Sequence, residues 1–135
     1  MIILTGALGF IGSCMFSYLN KYNYRDLVLV DDFSKKNKEA NLLDNSFALK
    51  LDRAELEWWL DDNASDIDFV FHIGARTDTT EFDENIFDQL NLSYTKMLWR
   101  KCCAYKIPLV YASSAATYGD GTLGYDDKHL SLIHI

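Results

Sequence analysis

The sequence is short of several things. It holds one proline and three cysteines in 135 residues. Its apolar runs all fall well below the roughly 18 residues that a membrane span needs. The short apolar run at its start has no basic segment before it, so it does not read as a secretory leader, and the expected location is the cytoplasm. Positive charge is also lacking: the formal net charge is −7, which argues against a general binder of nucleic acid or anionic membrane. The cysteines, Cys14, Cys102 and Cys103, are odd in number and without metal-ligand spacing, and the adjacent pair is ill-placed for an ordinary disulfide. Buried, reduced thiols are the expectation, and no metal site is read. There is no internal repeat and no low-complexity segment.

What remains is the composition of a folded domain, 49% hydrophobic and 14% aromatic. The length suits one domain with a real core and is short for an enzyme with a separate substrate domain. The chain is organised around its first twelve residues, MIILTGALGFIG. Ile2 to Leu4 is the kind of continuous apolar run that a buried parallel strand needs. Three glycines follow at a spacing of three. Gly6 suits a tight turn out of the strand, Gly9 lets backbone approach a diphosphate, and Gly12 lets the next helix press on the sheet. The helix N-terminus favours a bound anion, so the stretch reads as a pyrophosphate cradle opening a βαβ unit. A flexible turn is the blander alternative, and the flanking strand and helix favour the cradle.

From Phe10 to about Lys21, Ile11, Cys14, Met15, Tyr18, Leu19 and Tyr22 recur at helical spacing and are expected to face a sheet. Leu27 to Val30 reads as a second buried strand ending at Asp31 and Asp32. An acid there, about 20 residues past the glycines, is placed to bind adenosine ribose hydroxyls; Asp32 is equally read as a solvated loop start. Lys35, Lys36 and Lys38 form a small cationic cluster nearby. Phe47 to Leu51 is expected as a short edge strand, with Asp52 as the N-cap and Glu55 as the capping-box partner of a helix through Leu56, Trp59 and Leu60.

Ile67 to Ile73 is a third strand running into Gly74 and Ala75, a small-residue turn suited to close approach of a cofactor. His72 within it is read as a packed, hydrogen-bonded core residue. From Glu84 to Tyr105, Ile86, Leu90, Tyr94, Leu98, Cys102 and Tyr105 trace one helical stripe, with Asn91 near its edge. Pro108 stops that helix, and Leu109 to Ala112 forms a further strand leading into Ser113 and Ser114. Those hydroxyls fall at the same carboxyl edge, where they suit either a substrate beside a nicotinamide or simple turn chemistry. The alternation of strands and helices predicts an α/β fold, a Rossmann-type doubly wound parallel sheet.

TGALGFIG at 5 to 12, the acids at 31 and 32, HIGA at 72 to 75 and YASSAATYG at 111 to 119 together resemble the extended short-chain dehydrogenase/reductase superfamily. More narrowly, ARTDTTEFD at 75 to 83, with YASSAATYG and GYDD at 124 to 127, is similar to the bacterial ADP-L-glycero-D-manno-heptose 6-epimerases. The resemblance implies an enzyme of lipopolysaccharide core synthesis that inverts C6 of an ADP-heptose using NADP, by transient oxidation and reduction, and that is a homo-oligomer at full length. It places Phe10 and Ile11 at the pyrophosphate, Asp31 and Asp32 near the adenosine ribose, and Lys38 with Arg53 near a 2′-phosphate. Ile73, Gly74, Ala75, Arg76 and Thr77 would line the cofactor, Asn91 would contact it, and Ser114 would be the catalytic hydroxyl. On the residues alone Asp31 favours NAD, whereas the resemblance and the two cations favour NADP.

The resemblance also calls for a Tyr-x-x-x-Lys pair, and no tyrosine in this chain has lysine four residues later; Tyr125 and Lys128 are three apart. The expectation is therefore an N-terminal portion, with 1–130 an incomplete dinucleotide-binding domain and 131–135 a tail that matches nothing expected there, its origin left open. Another nucleotide-sugar epimerase or dehydratase, or a non-catalytic NAD(P)-binding module, remains open on the sequence.

Overall fold

The apolar runs become five parallel strands: β1 (Ile2–Thr5), β2 (Leu27–Asp31), β3 (Leu49–Asp52), β4 (Phe69–His72) and β5 (Leu109–Tyr111). They lie in the order β3-β2-β1-β4-β5. The structure is a computed structural model that describes residues 1–34, 36–42, 45–77, 80, 82–122 and 124–126. The tail at 131–135, Lys35 and Lys128 lie outside the described residues, as does part of the stretch from 75 to 83. The register aligns the carboxyl ends: Thr5 pairs with both Val30 and His72, Asp31 with Asp52, and His72 with Tyr111. Because β1 is central and its neighbours run outward in both directions, the chain changes direction there, which opens a crevice above its carboxyl end. The doubly wound α/β arrangement is thus as the sequence predicts.

Helix α1 (Phe10–Lys21) and a 3₁₀ segment (Lys36–Leu42) cover one face, with Leu4, Phe16, Leu19, Leu27 and Leu42 in that core. Helices α2 (Leu56–Asn63) and α4 (Tyr94–Tyr105) cover the other, over Ile3, Val28, Val70, Leu56 and Leu98. Alternation along each strand feeds both layers. On the α1 face, Phe69 and Phe71 are half-buried and Val110, the partner of Phe71, is 51% exposed. Among the described residues no helix lies over that part of the sheet.

Four local expectations need correction. The buried face of α1 holds Gly12, Phe16, Leu19 and Asn20, while Ile11, Tyr18 and Tyr22 are 62%, 57% and 56% exposed. Gly12 sets this rotation, because its contact with the glycine turn decides which side of the helix meets the sheet. Cys14 and Cys103 are exposed, and only Cys102 is buried, where burial pushes its thiol up to about 11.

The edge strand begins at Leu49 and runs through Asp52, which pairs with Asp31. Asp52 is therefore a strand residue and not a helix cap. Its carboxylate accepts from Ala54 N at 2.9 Å in a turn, and α2 starts at Leu56 with no side-chain cap. The long helix is also not uniform. It opens as α3 (Glu84–Phe87), passes through a π segment (Asp88–Ser93) and continues as α4. Leu98 and Cys102 are buried as the stripe requires, but Tyr105 is 40% exposed and donates its hydroxyl to Asp61 at 2.5 Å. Lys101 reaches the same carboxylate at 2.6 Å, tying α4 to α2.

Candidate functional site

The glycine turn joins β1 to α1. Gly6 sits at φ +70°, a left-handed conformation that side chains resist, and a Cβ on Gly12 would lie 2.0 Å from the Gly6 carbonyl oxygen. The helix packs as closely as the backbone permits. Gly9 is the N-cap of α1, with no side-chain cap and no acid in the first turn. The first-turn N–H groups at Phe10, Ile11 and Gly12 therefore keep their affinity for an anion.

Asp31 closes the second side. Its carboxylate accepts from Leu8 N at 2.8 Å and from Asp32 N at 2.8 Å, so it fixes the glycine turn and its own chain together. Asp32 turns away, bonded by Ser34 and lying 3.5 Å from Arg53 Nη2. Asn41 donates to the Leu8 carbonyl at 2.8 Å. That bond anchors the 3₁₀ segment carrying Lys38 to the same turn, a tie the sequence reading did not contain.

The third side is the loop after β4. Gly74 N donates to Thr5 Oγ1 at 3.1 Å, and the same hydroxyl is hydrogen-bonded to His72 Nδ1 at 2.6 Å. The other ring nitrogen, Nε2, is hydrogen-bonded to Thr95 Oγ1 at 2.8 Å, so a neutral imidazole has a hydroxyl partner at each nitrogen. Burial holds the His72 imidazole down at about 4, so it is neutral at pH 7. It is the packed core histidine expected, and it links β1, the loop and α4. Next along, the Asn91 amide clamps the Arg76 backbone, accepting from Arg76 N at 2.7 Å and donating to Arg76 O at 2.9 Å. Asn91 thus acts on the loop's backbone from within the π segment.

These three sides enclose a cleft of about 420 Å³. Of the residues predicted for the site, Gly6, Gly9, Phe10, Ile11, Gly12, Asp31, Lys38, Arg53 and Ile73 through Thr77 all line it. Asp32, Asn91 and Ser114 are not among the described lining residues. Ser114 stands past β5 at the same carboxyl edge, exposed, its carbonyl accepting from Thr117 N at 3.2 Å and Thr117 Oγ1 at 2.9 Å. The cleft also includes Thr5, which was read only as the end of the first apolar run, and Val30, Leu90 and Tyr94, which were assigned to strand or core. Their signal was present but ambiguous, since the same periodicity serves a core and a cleft wall.

The donor set fits a dinucleotide. An uncapped helix start and a glycine whose added Cβ would meet only Gly6 O, at 3.2 Å, make a cradle for two phosphates. A carboxylate at the end of β2 suits a ribose, and the two cations beyond it suit a further phosphate.

Comparison with known proteins agrees. The sequence profile of the NAD dependent epimerase/dehydratase family matches residues 2–131. A curated ADP-L-glycero-D-manno-heptose-6-epimerase of Fusobacterium nucleatum subsp. nucleatum is 42% identical over 129 residues, covering 94% of this chain and 39% of its own length. One of the same name from Nitratidesulfovibrio vulgaris is 37% identical, covering 100% of this chain and 42% of its own length. The chain thus spans about two fifths of these relatives. Among solved structures, UDP-glucuronic acid 4-epimerase of Bacillus cereus, in complex with UDP-glucuronic acid and NAD, superposes with a TM-score of 0.78 at 25% identity. That match covers 97% of this chain and 45% of the other. The Helicobacter pylori ADP-L-glycero-D-manno-heptose-6-epimerase shares the fold with a TM-score of 0.73 at 24% identity, covering 88% and 40%. With the glycine turn, the acid after β2 and the loop after β4 all in place, this chain belongs to the NAD-dependent epimerase/dehydratase family.

Proposed function

We propose that the chain is the cofactor-binding part of an NADP-dependent epimerase that converts ADP-D-glycero-D-manno-heptose to its L-glycero form for lipopolysaccharide core synthesis. The observation that carries this reading is the cleft itself, which gathers an anion cradle, a ribose-binding acid and two cations at one sheet edge. The names of the curated relatives supply the substrate.

In this reading Phe10 and Ile11 hold the pyrophosphate through their backbone, Asp31 takes the adenosine ribose, and Lys38 and Arg53 meet a 2′-phosphate. Asp32 acts by steering Arg53, and Asn91 acts by fixing Arg76. Ile73 to Thr77 form the wall along the cofactor. A bound dinucleotide would supply hydride chemistry at its nicotinamide, for oxidation and re-reduction of the substrate carbon. Ser114 offers its hydroxyl to the oxygen on that carbon. The family's Tyr-x-x-x-Lys pair, which moves the proton, has no counterpart in these 135 residues.

Calorimetric titration of the 135-residue chain with NADP and NAD tests the binding reading, with one site per chain expected. NMR of ADP-heptose incubated with a protein extended to the length of the relatives tests the reaction, with inversion at C6 expected. Binding of neither dinucleotide overturns the first reading; binding without inversion by the long protein overturns the second.

A further inference from the structure

Tyr94 opens α4 directly after the π segment and lines the cleft beside Leu90. Its ring packs 5.9 Å from that of His72. Its hydroxyl oxygen is buried and, among the described residues, has no hydrogen-bond partner. The neighbouring polar groups are already matched to one another, Thr5 to His72 and His72 to Thr95. A buried hydroxyl without a partner is costly, and native proteins carry few of them. The charges acting on this phenol are those of Arg53, Asp52 and Asp31, at the carboxyl ends of β2 and β3. In a dinucleotide fold that end of the cleft receives the adenosine half, since the acid after β2 meets the adenosine ribose. Burial holds the phenol well above its usual range, so it is a neutral group that both donates and accepts.

Resting on the cofactor reading above, we infer that Tyr94 is a ligand-binding residue whose hydroxyl completes its hydrogen bonding only with the adenosine moiety of a nucleotide in the cleft. The free protein carries the cost of the unpartnered hydroxyl, and the bound state relieves it. Tyr94→Phe removes the hydroxyl and keeps the ring, so it separates this role from a structural one.

The test is thermal unfolding of the free 135-residue chain together with calorimetry using ADP as the probe. The free Tyr94→Phe chain should melt at the same temperature as the unmutated chain or higher, while its Kd for ADP rises roughly five- to tenfold, as the loss of one hydrogen bond predicts. An unchanged Kd would overturn the assignment and leave the cleft reading standing. A lower melting temperature of the free variant would show the hydroxyl bonded within the protein and would also overturn it. If the unmutated chain bound neither ADP nor a dinucleotide, both readings would fall together.

Discussion

Gly6 and Gly74 meet backbone to backbone: a Cβ on Gly6 would stand 2.6 Å from Gly74 Cα. This contact joins the first turn of the chain to the loop after β4, which lies 67 to 69 residues further on in the pairs Thr5–His72 and Thr5–Gly74. Gly6→Ala meets both a clash and a left-handed φ, which alone costs roughly 1–2 kcal/mol. It should lose more than about 2 kcal/mol of stability in urea denaturation. Gly74→Ala, whose Cβ would lie 3.1 Å from Gly6 N and 3.2 Å from Thr5 Oγ1, should lose less. Equal stability of Gly6→Ala and the unmutated chain would refute the packing.

His72 makes stability depend on pH in a defined window. Its folded value of about 4 lies below the ordinary 6.5, so between those values the unfolded chain binds more protons than the folded one. Stability from this group is complete above pH 6.5 and is lost as pH falls toward 4. The full shift corresponds to on the order of 3 kcal/mol. Denaturation curves from pH 4 to 7 should be steeper for the unmutated chain than for His72→Gln, and parallel curves would rule the effect out.

Cofactor choice rests on a contest between charges. Asp31 repels a 2′-phosphate, but both its oxygens already accept backbone N–H bonds. Lys38 and Arg53 each offer a charge-assisted bond of about 1.5–3 kcal/mol. The expected result is tighter binding of NADP than of NAD by calorimetry, with the preference abolished in Lys38→Ala/Arg53→Ala. Tighter NAD binding by the unmutated chain would assign the choice to the carboxylate.

Ser114→Ala in a protein of the relatives' length should lower turnover about 10²- to 10³-fold, as removal of one transition-state hydrogen bond does elsewhere. Its affinity for the dinucleotide should stay unchanged, because Ser114 stands outside the described cleft lining. Greater damage from Ser113→Ala would move the role to the neighbouring hydroxyl.

The sheet was legible because buried parallel strands are written as unbroken apolar runs, and the glycine turn because its spacing has one steric explanation. Helix rotation was not. In α1 the apolar stripe is broad enough to allow two faces, and the choice falls to Gly12 against Gly6, a contact between residues whose side chains carry no pattern. Asp52 looked like a cap because capping and turn chemistry both use an acid that accepts from a backbone N–H two or three residues further on, here Ala54 N. The backbone ties of Asn91, Asn41 and Thr5 were invisible for a related reason: each bonds a backbone group, and backbone partners leave no mark in a sequence, even where the residue itself, as with Asn91, was singled out.

The π segment gives the long helix two phases. An α-helix advances 100° per residue, so the wider turn at Asp88–Ser93, which itself carries Asn91, lets α3 before it and the part that packs Leu98 and Cys102 into the sheet keep separate angular settings. Removing one residue there would restore a uniform α-helix and swing Ile86 and its neighbours by about 100° with a shift of about 1.5 Å. The core beneath α4 would be untouched, while the rim of the cleft would lose its alignment. A one-residue deletion in this stretch should therefore disturb the site while sparing the packing of Leu98 and Cys102.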